Sequence, residues 1–159
     1  MVALPRQRFA PIGPTLSALI RGARTSGHGS RGLFERELVR RFAVPDAIAV
    51  NSGRAALSLL LRASVLPEGG GVALAALNFV PLLDAVATGG WRPVPVDVDP
   101  ATWTLSVEAL DAALRDDPGI RVVLAMHLFG NPCDIVRIRE VCDRHGATLL
   151  EDFRQIGRA

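Results

Sequence analysis

Small and polar residues follow the first apolar run of the chain, at the point where a helix is predicted to begin. The segment Asn51–Gly53 comes directly after Ala47–Val50, and the helical stretch Ala55–Val65 follows. The free N–H groups and the positive dipole end of a helix N-terminus favour a phosphate group. Gly53 lets the backbone approach an anion closely, and Arg54 adds a guanidinium. A phosphate site is therefore one interpretation of this turn.

The same turn has a second interpretation that involves no ligand. Strand-to-helix turns favour Ser and Gly for structural reasons alone. The segment also matches neither a Walker loop nor the G-x-G-x-x-G pattern of dinucleotide-binding folds, so those two cofactor classes lose support. The turn by itself leaves both interpretations open.

An aromatic residue and a pair of acids end two further apolar runs. Phe79 follows Gly71–Leu77, where it could stack on a flat ring, although an isolated Phe is more often a core residue. Glu151 and Asp152 end the last run, and a buried aspartate there would keep a ring nitrogen protonated as an electron sink. Gln155 could donate a hydrogen bond to a phenolate oxygen. The alternative for the acid pair is a helix N-cap.

Four potential metal ligands occur in the second half of the chain, at His127, Cys133, Cys142 and His145. Their spacing fits no standard zinc pattern. We expect no metal site.

Composition removes several classes of chemistry. All 18 basic side chains are arginine, and the 159 residues contain no lysine and no tyrosine. These residues therefore offer no lysine for a Schiff base and no tyrosine as an acid or base. The arginines are scattered and the net charge is only +2, so no nucleic acid partner is expected. Two cysteines are too few for a disulfide framework, which predicts a cytoplasmic protein.

No membrane span or signal peptide is expected. The most apolar window, Gly71–Gly90, is interrupted by Asn78, Pro81 and Asp84. The first residues of the chain lack the continuous apolar region of a signal peptide.

The hydrophobic pattern predicts an α/β protein. Residues 1–30 form an N-terminal arm with a short helix over Thr15–Arg24 and a loop over Gly27–Ser30. Strands and helices are then predicted to alternate. The predicted strands are 47–50, 71–77, 93–98, 120–126 and 147–150. The predicted helices are one that begins at 32, then 55–65, 79–87 and 106–115, and a last one from Pro132 to His145. Ser106 is the expected N-cap and Gly146 the expected C′ residue. Continuous apolar strands indicate a mostly parallel open sheet with helices on both faces, where ligands bind at the carboxyl ends of the strands.

Six segments in order resemble the DegT-like sugar aminotransferases, fold-type I enzymes that use pyridoxal phosphate. The segments cover roughly residues 30 to 159: Phe34-Glu35, Asn51–Leu57, Asn78–Val80, Val96–Pro100, His127–Pro132, and Glu151-Asp152 with Gln155. The resemblance implies that residues 31–159 are an incomplete large, cofactor-binding domain and that the small C-terminal domain is absent.

The resemblance also implies a role for each candidate residue. Gly53, Arg54 and Ala55 would hold the cofactor phosphate, Phe79 would stack on the pyridine ring, Asp152 would pair with its nitrogen, and Gln155 would bond its 3-oxygen. Members of the family usually transfer an amino group from an amino acid, often glutamate, to a keto group of a nucleotide-linked sugar. Their sites form at a homodimer interface.

The chain departs from the family pattern in three places. Arg54 replaces a Thr or Ser, and Phe153 and Arg154 replace small residues beside Asp152. The family's Schiff-base lysine has no counterpart in these 159 residues. We therefore expect a fragment that binds the cofactor non-covalently at best and is inactive alone. The alternatives are a degenerate, non-catalytic remnant or an interaction module of the same fold; a nucleotide-binding doubly wound domain is disfavoured by the missing glycine fingerprints.

Overall fold

A computed structural model describes residues 28–64 and 69–152 of the chain. The chain divides after Asn51 into two compact units, which are described separately. The helices are α1 His28–Phe42, α2 Gly53–Ala63, α3 Val80–Thr88, α4 Val107–Asp116 and α5 Ile135–His145. The strands are β1 Gly71–Ala75, β2 Arg92–Val96, β3 Ile120–Met126 and β4 Thr148–Asp152.

The four strands form one parallel sheet in the order β2-β1-β3-β4. β1 is buried along its whole length and β3 at every position except Arg121, as expected for central strands covered on both faces. Because all four strands are parallel, their carboxyl ends lie at one edge of the sheet. The residues that follow β1 and β3 and the last residues of β4 therefore come to the same edge, as the sequence predicts.

Helices cover both faces of this sheet. Along β3, Val123 and Ala125 pack in a core with α4 and α5, represented by Leu110 and Ile138. The alternate positions of β3 pack in a second core, with α2 and α3, through the residues Leu57, Leu61, Leu82, Val86, Val122 and Leu124. Successive side chains of a strand point to opposite faces, so the two cores lie on opposite sides of the sheet. The predicted α/β architecture is confirmed.

The ends of α4 and α5 follow local capping chemistry. Ser106 is the N-cap of α4, where its Oγ accepts the N–H of Ala109 at 3.2 Å. Gly146 ends α5 with a φ of 65°, a left-handed conformation that glycine adopts without strain. Both predictions are confirmed.

The start of α5 was predicted too early. Pro132 is not in the helix, which begins at Ile135 with Asp134 as N-cap; the Oδ1 of Asp134 accepts the N–H of Arg137 at 3.1 Å. The Phe129-Gly130 pair turns the chain with φ values of 55° and 86°, and residues 131–134 then run outside any helix. Within this stretch the backbone N–H of Cys133 donates to Nδ1 of His127 at 2.9 Å.

Two predictions for the first unit are wrong. Residues 47–50 form no strand, and Ile48 is 67% exposed; no described strand pairs with them, and a strand is stable only with a hydrogen-bonded neighbour. The Ala49 N–H donates instead to Glu35 Oε1 at 2.8 Å. The predicted loop over 27–30 is replaced by helix from His28. The expected helix over Thr15–Arg24, like Gln155, lies outside the described residues.

No helix in the described part of the chain is both long and apolar enough to span a bilayer.

Candidate functional site

An open pocket of about 210 Å³ lies in the second unit, between α2 and the strand ends of β3 and β4. Its walls are mainly aliphatic, and the carboxylate-bearing end of β4 closes one side. The lining residues are Gly53, Ala56, Leu57, Leu60, Leu82, Leu124, Leu150, Glu151 and Asp152. An apolar pocket with a few converging polar groups is the usual form of a small-molecule site. Two of the residues singled out in the sequence, Gly53 and Asp152, line this one pocket.

The first turn of α2 presents backbone donors. Ser52 is its N-cap: its Oγ accepts the N–H of Ala55 at 3.2 Å, and its carbonyl accepts that of Ala56 at 3.0 Å. The N–H groups of Gly53 and Arg54 have no acceptor within the helix, as is general for a first turn. This turn of α2 contains no acidic residue, so no carboxylate of its own competes for the positive end of the helix.

Two of the residues predicted to hold a phosphate line a different cleft from the first pocket. Arg54 and Ala55 line this second cleft, between α2 and α3, together with Ser58, Pro81 and Asp84. The backbone N–H groups of both residues belong to the first turn of α2, which begins at Gly53 beside the first pocket.

Phe79 is not a core residue. It is the N-cap of α3 and is 59% exposed, at the carboxyl edge of the sheet beyond β1. Its ring is therefore accessible for stacking on a flat molecule.

Asn78, next to Phe79, carries a feature that sequence reasoning did not find. Its Oδ1 accepts the N–H of Phe79 at 2.7 Å, but its Nδ2 is buried and has no hydrogen-bond partner in the described structure. A buried donor without a partner costs roughly 1–3 kcal/mol. Such a donor at the ligand edge of a sheet suits a bound molecule with an acceptor. The position of Asn78 after β1 was the only sequence signal.

The two acids at the end of β4 lie on opposite faces of the sheet. Asp152 pairs with Met126, which packs in the α2–α3 core, whereas Glu151 pairs with Ala125, which packs in the α4–α5 core. Asp152 therefore faces the side of the sheet that carries α2. Glu151 Oε1 lies 2.8 Å from Nε2 of His127.

His127 is a second residue to which the sequence assigns no role in the site, although it belongs to the segment His127–Pro132 and was weighed as a metal ligand. It is 2% exposed and is hydrogen-bonded to Glu151 and to Cys133. Burial raises the pKa of Cys133, and the Sγ of that residue contacts the carbonyl oxygen of Met126 at 3.0 Å. Within residues 28–64 and 69–152, no three His, Cys, Asp or Glu side chains come together as a metal site would require.

A family profile and individual relatives both match this chain. The profile of the DegT/DnrJ/EryC1/StrS aminotransferase family matches residues 15–155. The L-glutamine:2-deoxy-scyllo-inosose aminotransferase of Streptomyces kanamyceticus is 33% identical over 155 residues, which are 91% of this chain and 36% of the relative. The chain thus spans about a third of the length of this curated relative.

Solved structures show the same fold. DesI, crystallised in the presence of its TDP-sugar product, matches with a TM-score of 0.83 and 28% identity, over 97% of this chain and 40% of its own. NtdA from Bacillus subtilis, with bound cofactor PMP (pyridoxamine phosphate), matches with a TM-score of 0.76 and 26% identity, over 84% of this chain and 32% of its own. The aminotransferases of this family depend on pyridoxal phosphate.

Proposed function

Because this chain belongs to the DegT/DnrJ/EryC1/StrS aminotransferase family, we propose that it forms the cofactor-binding part of a pyridoxal phosphate-dependent aminotransferase. One observation carries the proposal: the N-terminus of α2 at Gly53 and the carboxylate of Asp152 line a single pocket. The first group suits a phosphate and the second suits a cationic ring nitrogen. Pyridoxal phosphate carries both groups on one ring.

The phosphate binds at the first turn of α2, formed by Gly53, Arg54 and Ala55. The N–H groups of Gly53 and Arg54 donate to its oxygens. The Ala55 N–H is bonded to Ser52 Oγ, and the hydroxyl of Ser52 still has its own proton to donate. These contacts would hold the phosphate without a lysine.

The ring is held by three further residues. Phe79 stacks on one face of it, and its exposure at the sheet edge supports this role. The carboxylate of Asp152 would accept a hydrogen bond from the protonated ring nitrogen and keep that nitrogen charged. Gln155 bonds the 3-oxygen, a role that rests on the family resemblance. When bound, the cofactor supplies an electron sink for the transfer of an amino group.

The absence of lysine limits what these residues do alone. None of the 159 residues can hold the cofactor covalently through a lysine, so binding to this chain is non-covalent and the chain alone is inactive in amino transfer. In an active enzyme the reactive amine comes from residues other than these. Residues 31–159 are then an incomplete large domain that follows an arm at 1–30.

The substrates and the assembly follow from the family. The amino donor is an amino acid and the acceptor is a nucleotide-linked keto sugar, as the TDP-sugar product of DesI supports. The enzyme works as a homodimer. Its two buried, free cysteines fit a reducing compartment, and we place the protein in the cytoplasm.

The proposal is tested by titrating the purified chain with pyridoxamine phosphate, which carries an amine in place of the aldehyde and needs no lysine. We expect saturable binding, followed by the fluorescence of the ligand. Asp152→Asn should weaken it about tenfold, because a hydrogen bond to a charged group is lost. Asp143→Asn, an exposed acid on α5, is the matched control and should leave the affinity unchanged. No saturable binding by the unaltered chain would contradict the proposal.

A second candidate is a non-catalytic module of the same fold, favoured by the complete absence of lysine in these 159 residues. Intact-mass measurement of the protein from its native host separates the two. A longer polypeptide that contains lysine supports the aminotransferase. A polypeptide without lysine, bound to no complementing chain, supports the module.

A further inference from the structure

His127 is a buried titratable residue to which the proposed chemistry gives no role. It directly follows β3, and its side chain is 2% exposed. Three hydrogen bonds involve this residue: Nδ1 with the backbone N–H of Cys133 at 2.9 Å, Nε2 with Glu151 Oε1 at 2.8 Å, and its own backbone N–H with the carbonyl oxygen of Asp152 at 3.1 Å. Two of the three reach the last two residues of β4.

The bond from Cys133 determines which ring nitrogen carries the proton. A backbone N–H can only donate, so Nδ1 of His127 must accept. In a neutral imidazole the other nitrogen, Nε2, then bears the hydrogen and donates it to the Glu151 carboxylate. The direction of the whole chain of bonds is therefore set, from Cys133 through His127 to Glu151.

β4 is the last strand in the order β2-β1-β3-β4, so among the described strands it pairs only with β3. Glu151 and Asp152 are its last two residues and pair with Ala125 and Met126. His127 makes two hydrogen bonds to this end of β4: its side chain bonds the Glu151 side chain, and its backbone N–H bonds the Asp152 carbonyl oxygen. A rotation of β4 that moved Asp152 away from the pocket would break both bonds.

We propose that His127 is a positioning residue, which fixes the end of β4 so that the Asp152 carboxylate stays on the pocket side of the sheet. This role rests on the proposed function, in which Asp152 partners the ring nitrogen of the cofactor. His127 acts on the ring only through β4, since its side chain bonds Glu151 on the opposite face. The predicted consequence is a higher proton affinity of the bound ring nitrogen than an untethered Asp152 would give.

The test uses the full 159-residue chain with pyridoxamine phosphate labelled with ¹⁵N in the ring. NMR follows the pH at which the bound ring nitrogen loses its proton. In His127→Asn, the shorter amide can still accept from Cys133 but cannot reach Glu151. We expect that pH to fall by about one unit, a tenfold loss of proton affinity. His127→Gln, whose amide nitrogen reaches Glu151, should restore part of the difference.

His145→Asn is the matched control, because His145 also bonds a carboxylate, Asp111, at 2.9 Å but belongs to α5 rather than to the pocket. We expect it to leave the ring titration unchanged. If His127→Asn does not fold, Glu151→Leu replaces it, because it removes the acceptor of Nε2 and should lower the titration pH. Glu151→Gln removes the same charge but keeps an acceptor for Nε2, so it should lower the titration pH less; equal titrations of the two variants would overturn the positioning role.

The outcomes separate the two proposals. A ring titration that is the same in folded His127→Asn as in the unaltered chain overturns the positioning role, and so does a ¹⁵N spectrum that places the His127 proton on Nδ1. If the unaltered chain binds no pyridoxamine phosphate, the proposed function fails. The carboxyl ¹³C signal of Asp152 then decides the positioning role: a shift in His127→Asn but not in His145→Asn supports it, and no shift overturns it.

Discussion

The carboxyl edge of the sheet brings together residues that have little in common in the sequence. Asp152 lines the pocket, Glu151 is bonded to a buried histidine on the other face, and Asn78 carries a buried donor without a partner in the described structure. Each of these arrangements costs stability or constrains a side chain. Such local costs are typical of functional sites, where structure is maintained for binding rather than for stability.

A substitution of Asn78 should affect ligand affinity and the free energy of unfolding to different extents. Asn78→Ala removes two groups. One is Nδ2, which makes no hydrogen bond in the described structure, and the other is Oδ1, which accepts the exposed hydrogen bond from the Phe79 N–H. We expect the free energy of unfolding to change by less than about 1 kcal/mol. The affinity for pyridoxamine phosphate should fall about tenfold, because the bound molecule loses a donor. Urea denaturation and a fluorescence titration measure the two quantities.

Asn131→Ala is the control for Asn78, since its Nδ2 donates to the Thr102 carbonyl at 3.0 Å. It should lower the free energy of unfolding and leave the affinity unchanged. Equal affinities of Asn78→Ala and the unaltered chain would show that Asn78 does not contact the ligand.

At the scale of elements, two acidic residues of α4 bond α5: Glu108, which pairs with Arg137 at 2.7 Å, and Asp111. Asp111 on α4 accepts hydrogen bonds from His145 and Arg144 on α5, and it also pairs with Arg115 of its own helix. The bonds from His145 and Arg144 lower the pKa of Asp111 to about 2. The carboxylate therefore links the two helices that cover one face of the sheet.

This link predicts an acid-sensitive contribution to stability. The folded pKa of Asp111, about 2, lies below its ordinary value of 3.8, so its contribution is present above about pH 4 and is lost as the pH falls toward 2. Asp111→Asn should lower the thermal midpoint at pH 5, and the difference from the unaltered chain should shrink between pH 4 and 2. Asp143→Asn, exposed on α5, should show no such pH-dependent difference; a constant gap for Asp111→Asn would contradict the link.

The sequence predicted elements well where the signal is local, and poorly where an element depends on a partner. β3 is a continuous apolar run and was predicted over its exact bounds, Ile120–Met126. The strand expected at 47–50 is absent because no described strand pairs with it. The start of α5 predicted at Pro132 is wrong, because the turn at Phe129-Gly130 is followed by non-helical backbone up to the Asp134 N-cap.

At the scale of the whole molecule, the reaction rate of the buried Cys142 thiol measures how readily the core opens. Cys142 is 1% exposed, and burial raises its pKa to about 11. Only the thiolate reacts, so at pH 8 we expect alkylation by iodoacetamide to be about a hundredfold slower in the folded chain than in urea. Mass spectrometry over time measures the rate. A folded chain that reacts as fast as the unfolded one would show that the α4–α5 face opens readily.

The sequence by itself determined the α/β class, the family and the strand ends where candidate residues lie, because hydrophobic periodicity and ordered motifs are properties of the chain. Only the tertiary structure decided that Asp152 faces α2 while Glu151 meets His127, and that Arg54 lines a separate cleft. Those outcomes depend on the register of β4 against β3 and on the packing of α2 beside α3. Contacts between distant segments set both, and no local pattern of residue types encodes them.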